Sequence, residues 1–462
     1  MDILNLSKLL NLINEMPSYG NLAAELRQLK TAKADIIEAA RPYVIAALYQ
    51  TLKRPVIIVT AHAEESRKLY EQISMWLGSD DIKLMPEADT LPYERIVTDT
   101  PTELERLRAL SALANAQKEK RLPLIVIPAT ALIRKTTPFA DFAAAFHTVK
   151  EEAISDPMLL LKRWQSLGYT VESTVEIPGT TSRRGGIIDV FPPTSDMPAR
   201  LEFFGNTVES IRLYDPANQR SVKRVASINI GPAEELLAPF SGNGFKPEDV
   251  LKTLDFSNCT EETRQIFIKE INDLYQGQNT VSKEFYAPLF NQDTLLSFLP
   301  ENTLLVIDEE LSIQRTIEDF DNKASELRKD AIIQGELPVN FPKPYYNWDE
   351  IESVLAKIPR LILGTLGAPD KEAVNRLDFK PLTSYGGQLP NFIARIKQML
   401  EDKQRVILVT HQANRLSELL EESDIIAPVL TEIKQMPLPG SLTLLQGLVS
   451  SGWSLRGDTH LF

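Results

Sequence analysis

Asp308-Glu309-Glu310 follows the apolar run Thr303-Leu304-Leu305-Val306-Ile307. A carboxylate pair at the end of a buried strand can hold the magnesium of a bound nucleotide. That chemistry needs a second element, Gly-x-x-x-x-Gly-Lys-Ser/Thr, whose backbone N–H groups and lysine wrap the phosphates. The chain has no Gly-Lys dipeptide and no Gly-x-Gly-x-x-Gly, and the segment Ala40-Arg41-Pro42-Tyr43-Val44-Ile45 ahead of the first strand has no glycine. With nothing to bring Mg-ATP, the acids are expected to complement the dipole at a helix N-terminus. The histidines are His62, His147, His411 and His460, and none stands in a His-x-x-x-His or Glu-x-x-His pair, so no zinc site is expected. His62 and His411 each follow a run ending in Val-Thr, where active sites often lie, but neither has a cysteine companion nearby, and both read as loop residues. No Gly-x-Ser-x-Gly elbow is present. Cys259 is the single cysteine, which excludes a disulfide within the chain and a cysteine-based zinc site. The expectation is a chain with no catalytic residue, no cofactor and no metal.

Composition agrees with a binding role. Of 462 residues, 43% are hydrophobic and 24% charged, an ordinary globular balance spread over about three domains. No apolar run approaches the ~18–20 residues of a membrane span. Met1-Asp2-Ile3-Leu4-Asn5 lacks the basic start of a signal peptide, so a cytoplasmic location is expected. Asp and Glu number 63 against 50 Lys and Arg, a net charge of −13. Nucleic-acid domains show a basic footprint, so protein partners are favoured over DNA.

The elements that would position these residues read as α/β. Pro55–Thr60, Leu122–Ile127, Thr303–Ile307 and Leu361–Gly364 are short apolar runs, hence buried strands. Leu6–Leu29 has helical spacing broken near Pro17-Ser18-Tyr19-Gly20. Helices are expected over Ala63–Leu77, Glu261–Tyr275 and from Glu310 to about Arg328. A further helix opens with Thr100 as N-cap, Pro101 at N1 and Glu103 at N3, running to about Lys118. Strands alternating with helices imply a parallel sheet. A last unit follows: helix Pro390–Leu400, strand Arg405–Val409, helix Ala413–Leu420. The chain stops in strand-like residues, which reads as a fragment cut at a domain boundary.

Between about 170 and 232 the period becomes two. Arg200-Leu201-Glu202-Phe203-Phe204 and Thr207–Leu213 flank Gly205-Asn206, a hairpin with a two-residue, glycine-first turn. Alternation sends Leu201 and Phe203 to one face, the core, and Arg200, Glu202 and Phe204 to the other. Arg183-Arg184 adds positive charge just before the first strand, and arginine beside an aromatic ring is the composition of interface anchors. Either Arg184, Arg200 and Phe204 meet a partner, or Phe204 packs under a neighbouring loop and the arginines are solvated.

Three stretches carry a resemblance: Ser182-Arg183-Arg184-Gly185-Gly186-Ile187-Ile188-Asp189-Val190-Phe191-Pro192-Pro193; Pro198-Ala199-Arg200-Leu201-Glu202-Phe203-Phe204-Gly205; and Glu209-Ser210-Ile211-Arg212 with Asp215-Pro216-Ala217-Asn218-Gln219-Arg220-Ser221. They resemble a bacterial repair module shared by the excision-repair protein UvrB and the N-terminal region of the transcription-repair coupling factors. Leu91-Pro92-Tyr93-Glu94 and Thr102-Glu103-Leu104-Glu105-Arg106-Leu107 resemble the domain ahead of it. UvrB carries a phosphate-binding loop and, ahead of the Glu-Arg-Leu helix, a long DNA-clamping hairpin. Here the loop is missing, and Tyr93 and Thr102 stand too close together for the hairpin. The coupling-factor side of the resemblance therefore fits better.

That resemblance implies a degenerate helicase-like, RecA-like parallel-sheet domain in two parts, 1–145 and 233–378. A small β-rich UvrA-binding domain would be inserted at 146–232, and a small α/β domain would follow at 379–462. It implies UvrA as the partner, with Arg184, Arg200 and Phe204 as its binding residues. RNA polymerase, DNA and ATP-driven translocation would belong to a C-terminal part beyond this chain. The alternative is an excision-repair, UvrB-like subunit keeping weak nucleotide hydrolysis through Asp308 and Glu309. On the docking reading, substituting Arg184, Arg200 or Phe204 is expected to leave folding intact.

Overall fold

The apolar β-branched runs become the centre of a seven-stranded sheet in which every pairing is parallel. Its order is Val374–Arg376, Ala32–Asp35, Arg360–Gly364, Leu304–Asp308, Val56–Thr60, Leu124–Pro128, Ile82–Leu84. The structure is a computed structural model describing residues 4–78, 82–95, 100–119, 122–237, 246–276, 283–364 and 374–462. Val56–Thr60 and Leu124–Pro128 are buried at every position, as strands covered on both faces must be. Val56, Ile58, Val126, Leu304 and Val306 face one core, while Ile57, Val59, Ile125, Ile127, Leu305 and Ile307 face another.

Helices Ala63–Leu77 and Glu261–Tyr275 form where the periodicity placed them. The first helical stretch divides at Met16 into a 3-10 helix, Ser7–Glu15, and an α-helix with Pro17 as its first residue. Thr100 is not an N-cap: it is already helical at the start of Thr100–Glu119, and the residues just before it lie outside those described. The helix after Asp308 runs over Glu310–Ile333, longer than expected. Arg41–Leu52, read only as the lead-in to a strand, is a helix buried on most of its surface.

The inserted domain is a six-stranded sheet whose four central strands are Thr207–Tyr214, Ala199–Phe204, Ile187–Val190 and Thr180–Arg184, paired antiparallel. Gly205 turns the hairpin at φ +59, a conformation open to glycine. Its inner face packs Ile188, Val190, Leu201, Val208 and Ile211 against Trp164 of helix Pro157–Ser166. Asp156 caps that helix, accepting from the N–H groups of Met158 and Leu159. The chain enters and leaves through paired strands, His147–Lys150 and Ser227–Ile230.

The last unit is a second six-stranded sheet, with helices Leu389–Glu401 and Ala413–Glu421. Its Trp453 and Phe379 pack against Tyr43 at ring separations of 4.7 and 5.9 Å, which joins it to the main body. Among the described residues no helix is long and apolar enough to cross a membrane. The fold is thus α/β, a parallel sheet carrying further β-rich sheets.

Candidate protein-docking surface

Two of the places where this fold holds arginine against carboxylate correspond to the residues singled out in the sequence. The first lies at the carboxyl end of the main sheet, where open α/β sheets bind ligands. Arg41 opens the helix after strand Ala32–Asp35, and its Nη1 and Nη2 donate to Asp308 Oδ1 and Glu309 Oε1, both at 2.5 Å. Its Nε donates to the Ile36 carbonyl at 3.3 Å. Asp308 ends its strand, and Glu309 precedes its helix at φ +61 with no side-chain cap bond to it. Glu309 at the N-cap and Glu310 in the first turn do stand at a helix N-terminus, as the sequence suggested, but Asp308 and Glu309 have a second role. They are ion-paired to a buried guanidinium from the far end of the chain. Burial pushes the Asp308 carboxyl up to about 6, with Arg41 pulling against it and Glu309 and Glu65 adding to it.

The histidines have structural partners. His62 caps helix Ala63–Leu77. His147 Nε2 accepts from Trp164 Nε1 at 3.0 Å, and burial holds the ring below the usual histidine range. His460 Nε2 lies 3.0 Å from Gln404 Oε1. The His411 carbonyl accepts from Gln446.

The second site is the outer face of the inserted sheet. Register pairs Asp189 with Arg200 and Arg200 with Arg212 across three strands, and Arg184 with Ile187 and Ile187 with Glu202 one row on. Opposed residues of antiparallel strands share a face. The face therefore carries Arg184, Asp189, Arg200, Glu202, Phe204 and Arg212. Leu201 is fully buried in the core and Phe203 packs against it, as alternation required. Phe204 is 82% exposed and lies under no loop.

The two arginines are not equally free. Arg200 forks Asp189, Nε to Oδ1 at 2.8 Å and Nη2 to Oδ2 at 2.9 Å, and its guanidinium lies 4.6 Å from the centre of the Tyr214 ring. Arg184 reaches the same carboxylate through one bond of 3.3 Å and stays more than half exposed. Glu202 pairs with Arg212 at 2.9 Å. The structure thus brings Arg184, Arg200 and Phe204 onto one face, but Arg200 spends its fork inside the domain. Sequence reasoning missed Asp189, which sits buried between them; an acid between Ile188 and Val190 in a buried strand was the available signal. It missed Arg41 as well.

Comparison with known proteins bears on this face. Residues 148–236 match the family model of the UvrB interaction domain. A transcription-repair-coupling factor of Bacillus subtilis is 23% identical over 447 residues, covering 91% of this chain and 37% of that protein. One from Myxococcus xanthus is 31% identical over 312 residues, covering 64% and 25%. One from Staphylococcus aureus is 22% identical over 470 residues, covering 97% and 39%. The chain resembles the N-terminal, UvrB-like region of the transcription-repair coupling factors. It spans between a quarter and two-fifths of the length of these relatives. Arg184, Arg200 and Phe204 all fall inside the matched UvrB interaction domain.

Proposed function

We propose that this chain docks UvrA through the outer face of its UvrB interaction domain, with Arg184, Arg200 and Phe204 as the contact residues. Docking brings nucleotide excision repair to RNA polymerase stalled at a DNA lesion, in the cytoplasm. The observation that supports it is Phe204, held in water on a rigid strand beside an incompletely satisfied Arg184. Polymerase contact, DNA translocation and ATP-driven polymerase release fall to the part of the coupling-factor family that this chain does not span. The chain itself acts as an adaptor that neither binds nor hydrolyses ATP. The missing Gly-Lys-Ser/Thr loop supports this, and so does Arg41, whose guanidinium already occupies one oxygen of each acid that a magnesium ion would need.

Titration of the chain with UvrA in a calorimeter tests the first reading. Saturable binding is expected, lost on Arg184→Glu; no binding by the wild-type chain overturns it. Titration with Mg-ATP tests the second. No heat is expected, and a micromolar dissociation constant abolished by Asp308→Ala would overturn it.

A further inference from the structure

The outer face of the inserted sheet carries another exposed apolar side chain beside Phe204. Thr207 pairs with Phe204 across the hairpin and, on its other edge, with Ile154 in an antiparallel bridge. Phe203 and Val208, next along each strand, point into the core. Phe204, Thr207 and Ile154 therefore form one row on the solvent side, the two apolar residues about 10 Å apart at Cα. Ile154 is 85% exposed; among the described large apolar side chains only Ile426 matches this pair.

A single exposed isoleucine is ordinary; this one is held in place. The Ser155 N–H donates to the Asn206 carbonyl at 2.7 Å, Val208 N–H to Ala153 at 3.0 Å and Glu152 N–H to Val208 at 2.8 Å. Asp156 then caps the next helix. These bonds also close the hairpin's free edge, so no strand can add there and a partner meets side chains alone. A fixed backbone removes much of the ordering cost of association. The charge beside the row names the partner's chemistry. At the Phe204 end of the row, Arg184 and Arg200 share one carboxylate, Asp189, and Glu202 is neutralised by Arg212, which leaves those five groups with a surplus of one positive charge. The fitting surface has adjoining apolar hollows and a carboxylate.

We propose that Ile154 and Phe204 form a two-pronged apolar anchor for UvrA, flanked by Arg184 against an acidic group. This rests on the UvrA reading above. The test measures UvrA affinity of the whole chain and its variants, with melting temperature and sedimentation alongside. Ile154→Ala is expected to weaken binding about fivefold to tenfold. Ile154→Asp is expected to cost about a hundredfold and Ile154→Lys less, because the partner is acidic. Leu159→Asp, on the helix covering the opposite face, leaves binding unchanged. No variant changes the melting temperature. If Arg184→Glu abolishes binding while both Ile154→Ala and Ile154→Asp bind like wild type, the Ile154 anchor is overturned and the UvrA reading stands. If the wild-type chain fails to bind UvrA, that reading falls and the anchor with it. If Ile154→Asp instead dissociates a dimer of the chain alone, the row is a contact between copies and the anchor is overturned.

Discussion

Arg41 on Asp308 and Arg200 on Asp189 use the same bonds to opposite ends. In the main body, one guanidinium serves two carboxylates, and the cluster is left negative. In the inserted domain two guanidiniums serve one carboxylate, and the cluster is left positive. The sign of the remainder decides what each site does. The negative remainder is buried, so Asp308 answers it by holding its proton up to about pH 6. The positive remainder sits on Arg184 in water, where it costs little and is available to a partner.

The sharpest way to break this comparison is to remove the bolt. Arg41→Ala leaves Asp308 and Glu309 without the guanidinium and should destabilise the chain by about 3–5 kcal/mol, the cost of breaking a buried pair. Urea unfolding measures it. The pH dependence has a definite sign. Without Arg41 the folded Asp308 holds its proton still more tightly than the unfolded residue. The stability this supplies is present at low pH and is lost as pH rises through the folded value. The deficit of Arg41→Ala should therefore be larger at pH 8 than at pH 5. A loss below 1 kcal/mol at pH 8 would show that the cluster is not what joins this helix to strand Leu304–Asp308.

In the inserted domain the same logic separates three substitutions that the sequence treats alike. Arg200→Glu sets a new carboxylate against the buried Asp189, so it should lower stability by about 2–4 kcal/mol as well as lose UvrA. On this geometry Arg200→Glu departs from the expectation that all three substitutions spare the fold. Phe204→Ala should cost about 2 kcal/mol of UvrA binding, some thirtyfold, with the melting temperature unchanged. Arg184→Glu should also act on binding alone. Melting curves and UvrA titrations of the three, run side by side, check this. Equal melting of Arg200→Glu and wild type would mean that the Asp189 fork contributes nothing to folding.

These contrasts mark where the sequence was legible. In the main sheet Val56–Thr60, Leu124–Pro128 and Leu304–Asp308 carry apolar runs, as strands covered on both faces do. Ala32–Asp35, Ile82–Leu84 and Val374–Arg376 escaped notice because they are short and carry Lys33, Lys83, Asn375 or Arg376 within them. The face shared by Arg200 and Phe204 followed from a period of two. That period cannot tell which outward residues a neighbouring loop covers: Tyr214 shares the face, yet it is buried, with its hydroxyl on the Val175 carbonyl. Arg41 was invisible for a different reason. Its partner Asp308 lies 267 residues away, and the missing glycines reported an empty motif without saying what fills its place.

A third charge cluster sits where the two regions join, and it predicts the smallest effect. Arg106, from helix Thr100–Glu119, is buried and forks Glu235 just past the exit strand of the inserted domain, at 2.7 and 2.9 Å. Lys283 pairs with Glu234 at 2.8 Å and Arg134 with Glu284 at 3.3 Å. Glu103 is a fourth carboxylate among these three cations. Burial first, then Glu234, Glu284 and Glu235, push it up to about 7, against a hydrogen bond from the Glu235 N–H. The folded carboxyl therefore holds its proton more tightly than the unfolded one. Stability from this group is present below the unfolded value and is lost as pH rises towards 7. Glu103→Gln is neutral throughout, so it should stabilise the chain by about 1–2 kcal/mol at pH 8. The gain should shrink towards zero at pH 5, where the wild-type carboxyl is already protonated. Unfolding curves at the two pH values measure the difference. An equal gain at both would assign the effect to packing, and a loss at pH 8 would mean that the bond from Glu235 outweighs the repulsion of its neighbours.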